Sequence, residues 1–163
     1  MDTVVTLRND APPGPPSTLL GNPVYNEYAP GVNGMFANFL LPEEATVYRF
    51  HINGERAPYI LHRDGAYPVA WDIVRIPPGG TSEVLVRYRV PGVLRTERDD
   101  TTFEMTLFPQ GVVRPDDFEL TVTAPDGTRL IPEDSADPDG EDETFTTGGK
   151  LDDTMTIRLT LER

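Results

Sequence analysis

Cysteine is absent from all 163 residues of the sequence. Disulfide bonds, thiolate metal sites and a cysteine nucleophile are therefore excluded. A chain of this length buries roughly 70% of the surface that its unfolded form exposes, so it can fold without a covalent staple. The absence of cysteine is compatible with both oxidising and reducing compartments.

Long apolar runs and an excess of basic residues are also missing. No run approaches the roughly 20 apolar residues of a spanning helix, so we expect no direct membrane insertion of this segment. Asp and Glu number 27 against 14 Lys and Arg, which gives a formal net charge of −13. Nucleic acids and anionic membrane surfaces need cationic contacts, so neither is expected as a partner.

The apolar residues that are present recur at every second position rather than with the period of a helix. Turn signals rich in proline and glycine separate these alternating segments. The pattern predicts an all-β fold, an antiparallel immunoglobulin-like β-sandwich of about eight or nine strands in a single domain over 1–163. The most regular segment is the last one, with inward positions at Met155, Ile157, Leu159 and Leu161.

The segment 67–91 is the centre of the predicted sandwich. Its two arms alternate around Pro77-Pro78-Gly79-Gly80, a composition typical of a tight turn, and so it is predicted to form a β-hairpin. The only tryptophan, Trp71, is expected in the core. The predicted inward residues are Val69, Trp71 and Ile73 on the first arm and Val84, Val86, Tyr88 and Val90 on the second. A second turn, Asn53-Gly54, matches type I′.

Two long loops interrupt the strand pattern. The segment 9–34 is rich in proline and glycine, and the segment 133–150 is acidic and rich in glycine. Loops on a rigid sandwich commonly carry recognition, so we expect partner contacts there.

The acidic loop contains the one candidate metal site. Calcium takes six to eight oxygen ligands, and several carboxylates could converge around Gly140. The order of ligands found in an EF-hand is missing, and acidic runs in loops are usually solvated, so both readings remain open. The candidate ligands are Asp137, Asp139, Glu141 and Asp142. No other cofactor is expected.

Four tyrosines are candidates for ligand contact. Pyranose faces can stack on exposed aromatic rings, which would make a carbohydrate-binding platform. The alternative is that these rings pin loops onto the sandwich with their hydroxyl groups in water. The residues are Tyr25, Tyr28, Tyr59 and Tyr67.

No catalytic constellation is expected. His51, His62 and Asp64 form the only histidine-based grouping, and neither a nucleophile elbow nor a zinc-binding helix motif accompanies them. The sequence therefore favours a protein that is not an enzyme, and a small carboxylate-based enzyme is the least favoured alternative.

Seven short segments form a recognisable succession, namely 5–12, 39–42, 52–54, 76–81, 84–88, 108–110 and 122–127. Together they resemble the C-terminal part of a family of actinobacterial membrane-anchored cell-envelope proteins of unknown function. The resemblance implies an extracellular β-sandwich and supplies no catalytic residues. The anchor and main body of that family are not in this sequence. A fragment of a longer anchored protein would lie on the extracellular side, whereas a complete chain would be cytoplasmic.

The leading hypothesis is a non-catalytic structural or interaction module of the bacterial cell envelope. The alternative is a carbohydrate-binding module. The expected partner is accordingly a protein or a cell-wall glycan, and the sequence does not indicate an oligomeric state.

Overall fold

The structure is a computed structural model that describes residues 1–12, 31–97, 100–109, 115–133 and 143–162. Every regular element in these ranges is a β-strand, and each pairing is antiparallel. The strands are β1 (Asp2–Arg8), β2 (Asn33–Leu40), β3 (Thr46–Ile52), β4 (Glu55–Arg56), β5 (Ile60–Asp64), β6 (Tyr67–Ile76), β7 (Thr81–Arg89), β8 (Leu94–Glu97), β9 (Asp100–Leu107), β10 (Asp116–Thr123), β11 (Arg129–Pro132), β12 (Thr144–Leu151) and β13 (Met155–Glu162).

The prediction of an all-β antiparallel fold is confirmed. The described ranges hold thirteen strands rather than eight or nine. The difference comes partly from strands such as β4, β8 and β11, which span two to four residues and are too short to show an alternation. The same ranges contain no helix long and apolar enough to cross a membrane.

The chain divides into two compact units, Met1–Pro91 and Gly92–Arg163. Each unit has a hydrophobic core of its own. A single domain over 1–163 stays a prediction.

Unit 1, Met1–Pro91, contains a four-stranded sheet in the order β1-β7-β3-β4 and a three-stranded sheet in the order β2-β6-β5. The two sheets share one core. The three-stranded sheet contributes Ala37, Ala70, Val74 and Ile76, and the four-stranded sheet contributes Phe50, Val84, Val86 and Tyr88. Phe39 of β2 meets Phe50 of β3 edge to face, with ring centroids 5.9 Å apart. The inner faces of the two sheets therefore pack against each other.

The turn at Pro77–Gly80 is present, but the predicted hairpin is wrong. Gly80 donates a backbone hydrogen bond to Pro77 at 2.9 Å, and Gly79 has a φ of +69°. The strands on either side, β6 and β7, belong to different sheets. The segment is therefore a connection between the two layers. By contrast, Asn53 and Gly54 both have positive φ and join β3 to β4 as a hairpin, as predicted.

The predicted core position of Trp71 is also wrong. The buried face of β6 carries Ala70, Val74 and Ile76. The predicted inward set Val69, Trp71 and Ile73 lies on the opposite face, where Val69 is buried and the other two are only partly buried. On β7, the inward positions Val84, Val86 and Tyr88 are confirmed.

Unit 2, Gly92–Arg163, contains a four-stranded sheet in the order β11-β13-β9-β8 and a two-stranded sheet of β10 and β12. Its core is built on Phe103, Leu130, Ile157 and Leu159, and side chains of β10 and β12 pack against it. The inward positions predicted for the last strand, β13, are confirmed.

Both predicted loops are shorter than expected within the described residues. β2 begins at Asn33, and residues 144–150 belong to β12 rather than to the acidic loop. Gly148 is suited to this strand because a Cβ atom there would lie 2.7 Å from the carbonyl oxygen of Phe118. Gly148 and Gly149, which indicated a loop, are therefore part of a ladder, and at Gly148 the neighbouring strand leaves no room for a side chain.

Candidate functional site

The three-stranded sheet of unit 1 is apolar on both of its faces. Residues paired across an antiparallel ladder point to the same face, so the register identifies the members of each face. The inner face is the core described above. The side chains on the other side form what we call the outer apolar face: Phe36, Leu40, Ile60, Tyr67, Val69, Trp71 and Ile73.

Four members of the outer apolar face are about half exposed. The exposed fractions are 60% for Phe36, 62% for Leu40, 54% for Ile60 and 49% for Tyr67. Single exposed apolar residues are ordinary on protein surfaces, but a contiguous apolar patch marks an interaction site. Adjacent strands bring these residues together, so the face is such a patch.

Trp71 occupies the centre of the face. The ring of Phe36 meets the indole edge to face, with centroids 5.3 Å apart and planes inclined by 63°. Asn38 on β2 and Ile60 on β5 flank Trp71 in register. This packing holds the indole in place and leaves part of its surface in water.

Polar side chains border the apolar centre. Asn38 lies on the β2 side and donates a long hydrogen bond of 3.4 Å to the carbonyl of Phe36. His62 and Asp64 lie on β5, beside Val69 and Tyr67 respectively. Arg75 lies at the far end of β6 and is exposed. An apolar centre within a polar rim is the usual anatomy of a protein interface.

The outer face of the four-stranded sheet in unit 1 is different in character. Arg49, Glu83 and Arg87 alternate there with the buried residues of β3 and β7. Asp2 accepts two hydrogen bonds from Arg87, from Nε at 2.7 Å and from Nη2 at 2.5 Å. Hydrogen bonding by Arg87 lowers the pKa of Asp2 below its ordinary value. This side of unit 1 therefore carries paired charges beside isolated apolar residues such as Val4, whereas the other side is largely apolar.

The predicted ligand-contact tyrosines fall in different surroundings. Tyr59 stacks on Phe50 at 5.4 Å, with the ring planes inclined by 18°, and packs against the core. That position corresponds to the pinning role. Tyr67 is exposed at one end of the outer apolar face. Tyr25 and Tyr28 lie outside the described residues, as do Asp137, Asp139, Glu141 and Asp142, so the calcium site stays a prediction.

The two histidines are not brought together. His51 lies on β3 opposite Leu85 and Arg56, in the four-stranded sheet. His62 and Asp64 lie on β5, in the three-stranded sheet. Each histidine is on the outer side of its own sheet, so the core of unit 1 separates them.

Unit 2 has a polar groove of about 530 Å³. Its charged lining residues are Arg95, Glu97, Asp100, Glu104, Glu133 and Arg158. Arg158 contacts Glu104 at 2.7 Å and Glu133 at 3.6 Å, and its hydrogen bond to Glu104 raises the pKa of the guanidinium. These two carboxylates are tied to the same cation, which suits a structural ion-pair cluster better than an acid/base pair.

No group of three or more His, Asp or Glu side chains in the described part of the chain is arranged to hold a metal ion. Comparison of the chain with protein-family models, curated proteins and solved structures found no match. The outer apolar face of unit 1 is the candidate site because of the exposed apolar residues that its geometry brings together.

Sequence reasoning placed Trp71 in the core and did not identify this face. The available signal was that both sets of alternate residues are apolar in the first arm of 67–91 and again in 35–40. A strand that alternates between polar and apolar residues has one apolar face, whereas these two strands have two.

Proposed function

We propose that the chain is a non-catalytic interaction module of a bacterial cell-envelope protein and that it binds a protein partner through the outer apolar face. The observation that carries the proposal is the exposure of Phe36, Leu40, Ile60 and Tyr67 around a half-buried Trp71. The sequence resemblance to anchored envelope proteins supports an extracellular location. The antiparallel sheets that share a core support an immunoglobulin-like sandwich.

The energetics suit reversible recognition. Fully burying a large apolar side chain contributes about 1.5–3 kcal/mol, so burying the exposed half of each of four residues contributes on the order of 1 kcal/mol apiece. The loss of translational and rotational freedom opposes this gain. The face therefore supports modest affinity, with aromatic residues at its centre as the principal contributors.

A carbohydrate partner is the second candidate, because Phe36, Trp71 and Tyr67 lie on one face beside Asn38 and His62. Aliphatic side chains weigh against it. Two of the four half-exposed members of the outer apolar face, Leu40 and Ile60, are aliphatic and offer no ring for sugar stacking. Their chemistry fits the apolar side chains of a protein.

Retention on isolated actinobacterial cell-envelope fragments tests the proposal. The native chain is compared with a Phe36→Ser/Leu40→Ser double variant and with a Val4→Ser/Tyr48→Ser control. The control residues are 52% and 54% exposed and lie in the four-stranded sheet of the same unit. We expect the face variant to be retained about tenfold more weakly, and the control to match the native chain.

Two further arms identify the partner class. Protease treatment of the fragments should abolish retention of the native chain if the partner is a protein. Retention on purified envelope polysaccharide, lost in the face variant, would assign the face to a glycan instead. Equal retention of native chain, face variant and control would contradict the proposal.

A further inference from the structure

Trp71 is the midpoint of the outer side of β6. The alternate positions there are Tyr67, Val69, Trp71 and Ile73 of the outer apolar face, followed by Arg75, so Trp71 is the middle one of the five. Successive members are about 6.7 Å apart, at two residues of a strand. On this side of the strand, Trp71 is therefore equidistant from Tyr67, which has Asp64 beside it, and from Arg75, which lies beyond the apolar members.

The neighbouring strands extend the same pattern. On β2, Phe36 lies beside Ile73, Asn38 beside Trp71 and Leu40 beside Val69. Phe36 and Leu40 are thus equally distant from the level of Trp71, one on either side of it. Ile60 on β5 lies at the level of Trp71 itself.

We propose that the outer apolar face binds a second copy of this chain around a twofold axis that passes across the strands at the level of Trp71. The inference rests on the proposed function because it uses the same face. A twofold interface is formed by one patch that complements itself. The rotation brings Phe36 of each copy to Leu40 of the other and brings Trp71 and Ile60 to their own counterparts.

The charges at the two ends fit the same axis. Rotation across the strands brings the carboxylate of Asp64 in one copy to the end of the face that carries Arg75 in the other. An axis along the strands would instead bring Arg75 to Arg75. Electrostatic complementarity of this kind selects the orientation more than it adds affinity.

The size of the face predicts weak self-association. Its Cα framework spans about 20 Å along β6 and about 10 Å across three strands. That footprint is well below the roughly 800 Å² per partner that a standard stable interface buries. The net charge of −13 on each copy also opposes association. We therefore expect a reversible dimer that forms at high micromolar concentration and is strengthened when salt screens the repulsion.

Sedimentation velocity over about 10–500 μM at moderate salt tests the dimer. The native chain should shift from monomer to dimer, and Phe36→Ser/Leu40→Ser should weaken the dimer by about tenfold or more. The Val4→Ser/Tyr48→Ser control should associate like the native chain. Circular dichroism of each variant checks that it is folded.

The absence of native cysteine allows a test of the axis itself. Face-to-face sheets are about 10 Å apart, which exceeds the Cα separation that a disulfide can bridge, so a short bis-maleimide is the appropriate reagent. Asn38→Cys lies at the level of the axis and should cross-link to its own counterpart. Val4→Cys, on the side of unit 1 that carries paired charges, should not.

Charge exchange gives a third readout. Asp64→Arg and Arg75→Asp should each weaken the dimer, and combining them in one chain should restore it. A dimer that persists in the Phe36→Ser/Leu40→Ser variant, or cross-links equally at both cysteine positions, would overturn the inference.

The failure of this inference and that of the proposed function are distinguishable. If the native chain is monomeric at 500 μM but the face variant still loses retention on envelope fragments, the second copy is wrong and the interaction face stands. If the native chain is monomeric and the face variant is retained normally, both are wrong.

Discussion

Replacing Asn9 should destabilise unit 1 more than the small size of its side chain suggests. Its side chain is 6% exposed and joins three segments of the chain. The Nδ2 group donates to the carbonyls of Gly31 at 2.8 Å and Ile76 at 2.9 Å, and Oδ1 accepts the Ala11 N–H at 3.1 Å. Its backbone also exchanges hydrogen bonds with Gly79 and Gly80 in the connection between the sheets.

The cost of Asn9→Ala follows from these contacts. A hydrogen bond contributes about 0.5–1.5 kcal/mol net, and a buried group left without a partner costs about 1–3 kcal/mol. The carbonyl of Ile76 is the buried partner here. Because the two costs overlap, we expect a loss of about 2–4 kcal/mol. In a unit of this size that lowers the melting temperature by about 10–30 °C.

Thermal unfolding followed by indole fluorescence measures this effect, because Trp71 is the only tryptophan and lies in unit 1. Asn9→Asp should cost at least as much as Asn9→Ala, since it also loses both N–H donors of Nδ2 and places a buried carboxylate beside two carbonyl oxygens. The matched control is Asn38→Ala, whose exposed side chain makes one long bond of 3.4 Å and should change stability by less than about 0.5 kcal/mol. A loss below about 0.5 kcal/mol in Asn9→Ala would refute the reasoning.

Three further predictions concern other parts of the chain. Gly148→Ala should lower the melting temperature of unit 2, followed by far-ultraviolet circular dichroism, by the equivalent of about 1–3 kcal/mol, because the new Cβ atom would lie 2.7 Å from the carbonyl oxygen of Phe118. Asp2→Asn should destabilise the chain at pH 7 and progressively less in acid. The folded-state pKa of Asp2 is below its ordinary value of 3.8 because Arg87 hydrogen-bonds the carboxylate, so the contribution is complete above that value and is lost as the pH falls through the lower folded pKa. Millimolar calcium should raise the melting temperature if the carboxylates in 137–142 bind the ion.

Each of these three has a control or a contradictory result. Thr146→Ala is an exposed change in the same strand as Gly148 and should leave unit 2 within about 0.5 kcal/mol of the native chain. A stability difference between Asp2→Asn and the native chain that does not shrink below pH 4 would show that the ion pair is not its origin. Magnesium at the same concentration controls for screening, and an identical shift with both ions would remove the calcium site.

The strands that sequence reasoning placed well are those with one buried and one wet face. On β7, Val84, Val86 and Tyr88 alternate with charged residues, and β13 alternates as regularly. Because one set is buried and the other is hydrated, only one orientation of each strand is favourable. Where the pattern carries this information, the sequence alone identifies the inward residues.

On β6, the alternation of apolar and polar residues does not indicate which face is buried. Val69, Trp71 and Ile73 form one apolar set, and Ala70, Val74 and Ile76 form the other. Asp72 belongs to the second set, and its charge wrongly indicates that this set faces solvent. Its carboxylate is partly buried and accepts the backbone N–H of Ile73 at 2.8 Å, so a local hydrogen bond accommodates it on the inner side.

The connection between the two sheets at Pro77–Gly80 could not be predicted from local sequence for a different reason. The Pro-Pro-Gly-Gly turn has the same backbone requirements whether its arms pair with each other or enter separate sheets. What distinguishes the two here is Asn9, which bonds to Ile76 across 67 positions of the chain. No periodicity in 67–91 encodes that contact.

The outer apolar face was not predicted because more than one strand has two apolar sets of alternate residues. β2 repeats the two-sided pattern of β6, with Met35 and Phe39 packed on the core and Phe36 and Leu40 on the other side. The inner residues suffice to close the core, so the outer ones are not needed to cover it. Soluble proteins rarely expose a contiguous apolar patch unless it serves an interaction. The outer side of the four-stranded sheet carries Asp2, Glu83 and Arg87, whereas the centre of the outer apolar face carries no charge, and this contrast favours a dedicated contact there.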